Sequence, residues 1–293
     1  MPPSLSPDPR TAERGASRLV AHDIGAHLAT WDVDGRPVVW CSDRAVLDGS
    51  RPIRGGVPVC FPWFASGPDG DLSPSHGVAR TATWRPADAH GTEVWAWTLT
   101  DEDVAGDPGT EHLPGPFRLR YAVSLPTDAA HPSLRLALEV ANPAEQPLPV
   151  EVALHTYLAV QDVRRVEVVG LDGADYLDKT TGRRRRQDGP LRVDGPTDAV
   201  LDSPGRPHVE VVDSDRRLVV QAEGSTQTVV WNPGPEQAAT MDDLRDDAWR
   251  EFVCVETAAT GDRRLRVEPG ATHTLACTLT VLDGAPPVGR TGR

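Results

Sequence analysis

The sequence predicts an all-β protein, a large antiparallel β-sandwich. Apolar residues alternate with polar or small ones over short segments, and turn residues separate these segments. The 28 prolines and 26 glycines among 293 residues interrupt the chain too often for long helices. One β-domain of this length is ordinary, so we expect a single sandwich over residues 18–283, a disordered arm at 1–17 and a flexible tail at 284–293.

The predicted strands show the period of two that is typical of a sheet with one buried face. Residues 117–123 and 134–140 are the clearest cases, and Asp34-Gly35 between two apolar runs predicts a hairpin. The one predicted helix is short, from Glu236 to Trp249. Further strands are predicted near residues 19–31, 92–100, 148–160, 164–170, 208–213, 217–223, 226–231, 251–257, 263–268 and 272–282.

The net charge of the chain argues against two classes of binding partner. A net charge of −13 and a pI near 5.1 argue against a nucleic-acid or anionic-membrane partner, because both require a basic face. The run Arg183 to Arg186 is therefore predicted to be a solvated hairpin loop. Lys179 is the only lysine, which indicates a compositional bias toward arginine. Any anion site must be a local cluster of arginines.

The cysteines at positions 41, 60, 254 and 277 lack the spacing of a metal or redox motif. The sequence also lacks an apolar signal segment at its start and an apolar run of membrane length. We therefore expect a cytoplasmic protein with reduced thiols. These thiols are predicted to pack as small apolar side chains. Cys254, which lies beside the proposed site residue Glu256, is the one cysteine to test for a functional role.

The segment from Arg54 to Arg80 contains groups that suit an anionic, hydroxylated ligand. Its paired glycines let the backbone approach a ligand, its aromatic residues offer flat apolar faces, and Arg54, His76 and Arg80 supply directed donors. A phosphorylated sugar fits this combination. The alternative is a turn-rich connection whose arginines are merely solvated.

Strand periodicity also places two reactive side chains. His155 falls on the strand face opposite the purely aliphatic one, and Glu256 shares a face with Phe252 and Cys254. A carboxylate in such semi-apolar surroundings tends to a raised pKa, which suits a general base. Taken alone, a strand histidine is more often structural and a strand glutamate more often solvated.

Several motifs in collinear order resemble those of the glucose-6-phosphate 1-epimerases, the hexose-6-phosphate branch of the aldose 1-epimerase (mutarotase) family. The resemblance spans roughly residues 20–282. The motifs are Arg54-Gly55-Gly56-Val57-Pro58, His76-Gly77-Val78-Ala79-Arg80, Leu154-His155-Thr156-Tyr157, the run from Gly170 to Asp178, Val230-Trp231-Asn232-Pro233-Gly234 with Met241-Asp242-Asp243, and Val253-Cys254-Val255-Glu256.

This resemblance implies a galactose-mutarotase-like supersandwich that interconverts the α and β anomers of a hexose 6-phosphate. It implies that His155 is the general acid and Glu256 the general base, with no metal and no cofactor. Ser75 stands where relatives often have glutamine, and Ala199 stands where the family has the arginine of a Thr-Asp-Arg string. The residues that it implies for substrate binding are Arg54, Ser75, His76, Arg80 and Asp198.

Other functions remain open at this point. The chain could be an aldose 1-epimerase for unphosphorylated sugars or a non-catalytic sugar-phosphate-binding protein. A glycoside hydrolase is disfavoured, because it needs two carboxylates and the sequence offers one paired with a histidine. Trp63 and Trp231 could stack on a sugar, although core packing is the commoner use, and Asp242 and Asp243 are predicted to be structural. We expect a monomer.

Overall fold

The computed structural model describes residues 9–203 and 208–284, and these form two large antiparallel sheets. The 12-stranded sheet, here the large sheet, has the path β1-β2-β3-β4-β12-β21-β20-β17-β14-β15, and β11 joins β21 to β5. Its strands are β1 (Arg10–Arg14), β2 (Ser17–His22), β3 (His27–Val33), β4 (Arg36–Val39), β5 (Val59–Cys60), β11 (Val152–Leu154), β12 (Tyr157–Ala159), β14 (Asp175–Asp178), β15 (Arg183–Arg186), β17 (Thr197–Asp202), β20 (Gln227–Asn232) and β21 (Phe252–Ala259).

The nine-stranded sheet, here the small sheet, has the order β16-β13-β18-β19-β23-β9-β8-β7-β6. A separate pair joins β10 (Leu148–Val150) to β22 (Leu265–Val267). The strands of the small sheet are β6 (Arg85–Ala87), β7 (Glu93–Thr100), β8 (Arg118–Ser124), β9 (Ser133–Ala141), β13 (Glu167–Val169), β16 (Leu191–Arg192), β18 (Val209–Val212), β19 (Arg216–Glu223) and β23 (Thr272–Asp283).

The main hydrophobic core takes side chains from both sheets. The large sheet contributes Leu158 and Val253, and the small sheet contributes Leu136 and Leu138, all fully buried. Alternation along β20 shows the consequence for the other face, because Val230 belongs to this core whereas Val229 belongs to a smaller apolar cluster. The smaller cluster therefore lies on the outer face of the large sheet.

The structure confirms the all-β prediction and the hairpin at Asp34-Gly35, where both residues have positive φ (49° and 74°) and β3 pairs with β4. The ordered domain begins earlier than residue 18, however. β1 pairs with β2, and the Arg10 Nη2 donates to Asp23 Oδ2 at 3.0 Å. Residues 1–8 of the predicted arm lie outside the described residues, as does the predicted tail beyond Gly284.

Two further predictions were wrong. The segment Glu236 to Trp249 is not one helix, because α1 (Gly234–Ala238) ends early and a short 3₁₀ turn (Ala248–Glu251) follows after tight turns. The run Arg183–Arg186 forms the edge strand β15 rather than a loop. Its arginines face carboxylates of β14, and these cross-strand ion pairs compensate for the charge repulsion within the run.

The four cysteines are free thiols, of which Cys60, Cys254 and Cys277 are buried. Within the described ranges, no helix is long and apolar enough to cross a membrane.

Candidate active site

Cross-strand register arranges side chains on the outer face of the large sheet in two rows. Partners in an antiparallel ladder point to the same face, and residues two positions apart along a strand form the next row. One row runs through Leu177, Val200, Val229 and Glu256, and the next through Lys179, Asp198, Trp231 and Cys254. In the first row, Leu177, Val200 and Val229 are apolar and the row ends at Glu256. In the second row, the charged residues Lys179 and Asp198 lie together at one end.

His155 reaches the same face from the segment between β11 and β12. The ladder with β21 is interrupted at His155 and Thr156, and the His155 amide donates instead to the Pro58 carbonyl at 3.0 Å. His155 thereby stands beside Glu256, with its Nε2 3.4 Å from Glu256 Oε1.

The His155–Glu256 pair is buried and poorly satisfied. The exposed fractions are 7% for His155 and 1% for Glu256. Among the described residues, neither Glu256 oxygen has a hydrogen-bond partner, and nor does His155 Nδ1. Burial, followed by the nearby Asp198 carboxylate, raises the pKa of Glu256 well above its usual range. Burial, followed by the charge of His76, lowers the pKa of His155.

The Gly55-Gly56 turn positions Arg54 against the wall of the site. Both glycines have positive φ, and a Cβ on Gly56 would lie 2.3 Å from His27 Nε2, so only glycine fits there. The Arg54 guanidinium donates to Asp243 Oδ1 at 3.0 Å and to the Tyr157 hydroxyl at 3.3 Å. Part of its charge is therefore neutralised by the protein itself.

Arg80 differs from Arg54 in having no such partner. Within residues 9–203 and 208–284 it makes no ion pair, and its Nε lacks a hydrogen-bond partner. It is half-buried and lies near Arg54 and Tyr157. An unpaired, half-buried guanidinium has its donors available for an anion.

The protonation of His76 follows from its contacts. Its Nδ1 accepts a hydrogen bond from the Ala65 amide at 3.2 Å, which leaves Nε2 as the protonated nitrogen. Burial, with the charge of Arg80, lowers its pKa to about 3, so the ring is a neutral Nε2–H donor near pH 7. The ring centroids of His76 and His155 are 5.5 Å apart.

The seven residues predicted from the sequence line a single cavity of about 540 Å³, here the active cavity. Ser75 is exposed, and Asp198 is half-buried with a pKa raised by burial. Trp231 also lines the cavity, with its ring 5.9 Å from that of His155, whereas Trp63 is 2% exposed and packs in the core. The predicted residues are His155, Glu256, Arg54, Ser75, His76, Arg80 and Asp198.

Sequence reasoning missed three residues of this cavity. Tyr157 and Asp243 hold Arg54, and Asp243 had been predicted to be only structural. Lys179 lies between Asp198 and the Phe64 ring, and its status as the only lysine was the one available signal. Over the described parts of the chain, no group of three or more His, Cys, Asp or Glu side chains is arranged to hold a metal ion.

Comparison with known proteins identifies the class. The aldose 1-epimerase family matches residues 11–280, and the chain belongs to this family. A protein of Escherichia coli K12 named "Putative glucose-6-phosphate 1-epimerase" is 32% identical over 238 residues, which cover 80% of this chain and 77% of that protein. A protein of Cenchrus ciliaris with the same name is 30% identical over 269 residues, or 88% and 80% of the two chains.

Solved structures confirm the mutarotase-like sandwich. The crystal structure titled as a "putative mutarotase (YeaD)" from Salmonella typhimurium has a TM-score of 0.78 and 26% identity, covering 96% of this chain and 95% of that one. The Slr1438 protein from Synechocystis shares the fold with a TM-score of 0.77 at 21% identity, covering 94% and 96%. The chain is therefore an enzyme of the epimerase class with the expected supersandwich fold.

Proposed function

We propose that the protein is an isomerase that interconverts the α and β anomers of glucose 6-phosphate or a related hexose 6-phosphate. The observation that carries this proposal is the unpaired Arg80 guanidinium, which lines the same cavity as the unsatisfied His155–Glu256 pair. A neutral sugar gives such a cation nothing to neutralise, whereas a phosphate matches its planar fork. The names of the relatives from Escherichia coli and Cenchrus ciliaris agree with a phosphorylated substrate.

The chemistry needs one base and one acid. Glu256 removes the proton of the C1 hydroxyl while His155 delivers a proton to the ring oxygen, and the C1–O5 bond opens to an aldehyde. Rotation about C1–C2 presents the other carbonyl face, and the ring recloses with both proton transfers reversed. The 3.4 Å separation of His155 Nε2 and Glu256 Oε1 supports these roles, because the C1 hydroxyl and the ring oxygen are bonded to the same carbon and two neighbouring groups can contact both oxygens.

The pair holds one proton in total throughout this cycle, first on His155 and then on Glu256. Burial alone favours the neutral acid and the neutral imidazole, which is the distribution that follows ring opening. The cations Lys179 and Arg80 oppose this effect at Glu256 by stabilising its carboxylate. A bound phosphate dianion would offset the cations that lower the pKa of His155, which favours the protonated imidazole that acts as the acid.

The remaining residues are proposed to bind the substrate. Arg80 is the main phosphate ligand, because Arg54 already donates to Asp243 and Tyr157. The neutral His76 donates its Nε2–H to a substrate oxygen, and Asp198 accepts from a ring hydroxyl. Ser75 contributes at the exposed rim.

We also propose that the protein acts as a monomer in the cytoplasm without a nucleic-acid or membrane partner, in keeping with its net charge of −13. Size-exclusion chromatography with light scattering would test the oligomeric state, and a mass of two chains would contradict it.

NMR exchange spectroscopy on the purified enzyme tests the proposed activity. The exchange rate between α and β anomers is measured with glucose 6-phosphate and with glucose at equal concentrations. We expect strong acceleration for the phosphorylated sugar and little for glucose. Acceleration of glucose alone would assign the enzyme to unphosphorylated aldoses, and binding of glucose 6-phosphate without acceleration would indicate a binding protein.

A further inference from the structure

The only lysine of the chain lies in the active cavity. Apart from the histidines, all other basic side chains of this sequence are arginines, which indicates a strong compositional bias toward arginine. An ammonium and a guanidinium are not equivalent ligands, because the ammonium is compact and the guanidinium is a planar, bulkier fork. Because Lys179 lines the active cavity, a role in ligand binding explains its presence there better than a purely structural role does.

The backbone fixes the position of Lys179 at the end of β14. Its amide donates to the Asp198 carbonyl at 2.8 Å, which continues the pairing with β17. The turn that follows is held by Asp178 Oδ1, which accepts from the Thr180 amide at 3.1 Å and the Thr180 hydroxyl at 2.6 Å. The side chain is therefore anchored at its base.

The ammonium group itself is only loosely held. Its Nζ lies 4.0 Å from Asp198 Oδ2 and 5.5 Å from the centroid of the Phe64 ring, and the side chain is 33% exposed. In the described part of the protein, Nζ makes no hydrogen bond within normal distance. Its three donors remain available to a ligand.

Lys179 and Arg54 enter the cavity from different parts of the large sheet. Arg54 is bound to Tyr157 on β12, and the path from β12 to β14 passes through β21, β20 and β17. Four strand spacings correspond to about 19 Å between backbones, and the long side chains reach inward from both ends. Glu256 on β21 lies between them. Binding of the phosphate by Arg80 and Arg54 would place the sugar ring beside Glu256, with Lys179 on the wall that β14 and β17 form.

We propose that Lys179 is a substrate-binding residue at the hydroxyl end of the active cavity, where its ammonium contacts the sugar hydroxyls and supports the negative charge of Glu256. This inference rests on the proposed function. The electrostatic part agrees with the influence of Lys179 on Glu256, since the ammonium lowers the pKa that burial has raised. Asp198 is the carboxylate paired with the ammonium, at 4.0 Å.

The test compares Lys179→Met and Lys179→Arg with the wild-type enzyme. For Lys179→Met we expect kcat/KM to fall by about 10- to 100-fold on glucose 6-phosphate, the range of a lost charge-assisted hydrogen bond, and by a similar factor on any residual glucose activity. Removal of a cation raises the pKa of Glu256, at which the pair loses its single proton, so the alkaline limb of the kcat/KM profile should move to higher pH. Lys179→Arg keeps the charge, so its limb should stay in place while it recovers only part of the efficiency.

Arg183→Lys provides the matched control. Arg183 is exposed on β15 and does not line the active cavity, so both the efficiency and the pH profile should match those of the wild type. Thermal melting and circular dichroism would establish that each variant is folded, and Lys179→Gln would replace the methionine variant if that one unfolds.

Three results would overturn the inference. Unchanged efficiency and an unchanged limb in Lys179→Met would remove the residue from the site. A loss confined to the phosphorylated sugar would assign Lys179 to the phosphate end instead. Full activity in Lys179→Arg would show that an ammonium is not required. A wild-type enzyme that accelerates neither sugar would contradict the proposed function instead of the role of Lys179.

Discussion

Two cavities of nearly equal volume lie side by side on the outer face of the large sheet. The active cavity measures about 540 Å³ and its neighbour, here the second cavity, about 520 Å³. They share Phe64, Ala65 and Lys179 at their border, and both combine an apolar floor with charged residues. Volume and composition therefore do not distinguish them.

Hydrogen bonding distinguishes them. In the second cavity Asp202 accepts from Arg263 at 3.1 Å and from Gln227, whose own Oε1 accepts from the Thr260 amide. Glu151 accepts from two backbone amides. The two carboxylates and the amide of this cavity therefore already have partners within the protein.

In the active cavity the corresponding groups are without partners. Both oxygens of Glu256, Nδ1 of His155 and Nε of Arg80 have no hydrogen bond from the described residues. A buried polar group that is not paired costs free energy in the folded protein, typically about 1–3 kcal/mol. A candidate active site is therefore recognised by the polar groups left for a ligand rather than by cavity size.

The largest effect is expected from Glu256→Gln. The amide keeps the shape but cannot accept a proton, so anomer exchange of glucose 6-phosphate should fall by about 10²- to 10⁴-fold in a folded protein. NMR exchange spectroscopy measures the rate. A folded variant with a rate near that of the wild type would remove Glu256 from the mechanism.

His155→Asn should lower the rate by about 10²-fold, because the amide donates a hydrogen bond but supplies no proton. Saturation kinetics separate the two contributions. If KM rises while kcat is retained, the acid role belongs elsewhere, and His76, whose ring centroid is 5.5 Å away, is the next candidate.

Arg80→Ala tests whether the unpaired guanidinium gives the active cavity its preference for phosphate. Loss of one charge-assisted bond costs about 1.5–3 kcal/mol, so kcat/KM should fall about 10- to 150-fold on glucose 6-phosphate and hardly change on glucose. Arg80→Lys should be intermediate.

Arg54→Ala should alter the ratio of kcat/KM for glucose 6-phosphate to kcat/KM for glucose less than Arg80→Ala does. The reason is that Arg54 already donates hydrogen bonds to Asp243 and Tyr157. If kcat/KM fell equally for both sugars in either alanine variant, the substituted arginine would stabilise the fold or bind the ring hydroxyls instead of the phosphate.

The pH dependence follows from the raised pKa of Glu256. The active form holds one proton on the His155–Glu256 pair, and this proton is lost at the raised pKa of Glu256, so kcat/KM should decline on the alkaline side, at a pH above the ordinary glutamate pKa of about 4.3. Because the folded state binds this proton more tightly than the unfolded state, the free energy of unfolding should decrease as pH rises from the unfolded to the folded pKa. Denaturant titrations of wild type and Glu256→Gln across pH would show this decrease as a difference between the two curves. Parallel curves would contradict the pKa shift.

The smallest effect is expected in the second cavity. Asp202→Asn weakens a half-exposed ion pair with Arg263, so stability should fall by at most about 1 kcal/mol, with the anomer exchange rate unchanged. A loss of activity comparable to that of Arg80→Ala would mean that the two cavities act together. Hydrogen bonding would then not distinguish the active cavity from the second cavity.

Local patterns in the sequence determined most of the fold. The alternation in β9 buries Leu136, Leu138 and Val140, and Asp34-Gly35 forms the predicted hairpin, because strand faces and tight turns depend on residues that are close in sequence. The motifs also named seven residues that the structure places in one cavity. Local patterns failed where a partner strand decided the outcome, as in Arg183–Arg186, which pairs with the carboxylates of β14.

Only the tertiary structure decided which polar groups are satisfied. Arg54 meets Asp243 across 189 residues of sequence, whereas Arg80, from the same motif region, meets no counterion in the described structure. Lys179 enters the active cavity because β14 follows β17 in the sheet order. Hydrogen bonds and ion pairs act over a few ångströms in space, so the sequence supplied the donors and acceptors, and the order of distant strands in the sheet determined which of them remain free for a substrate.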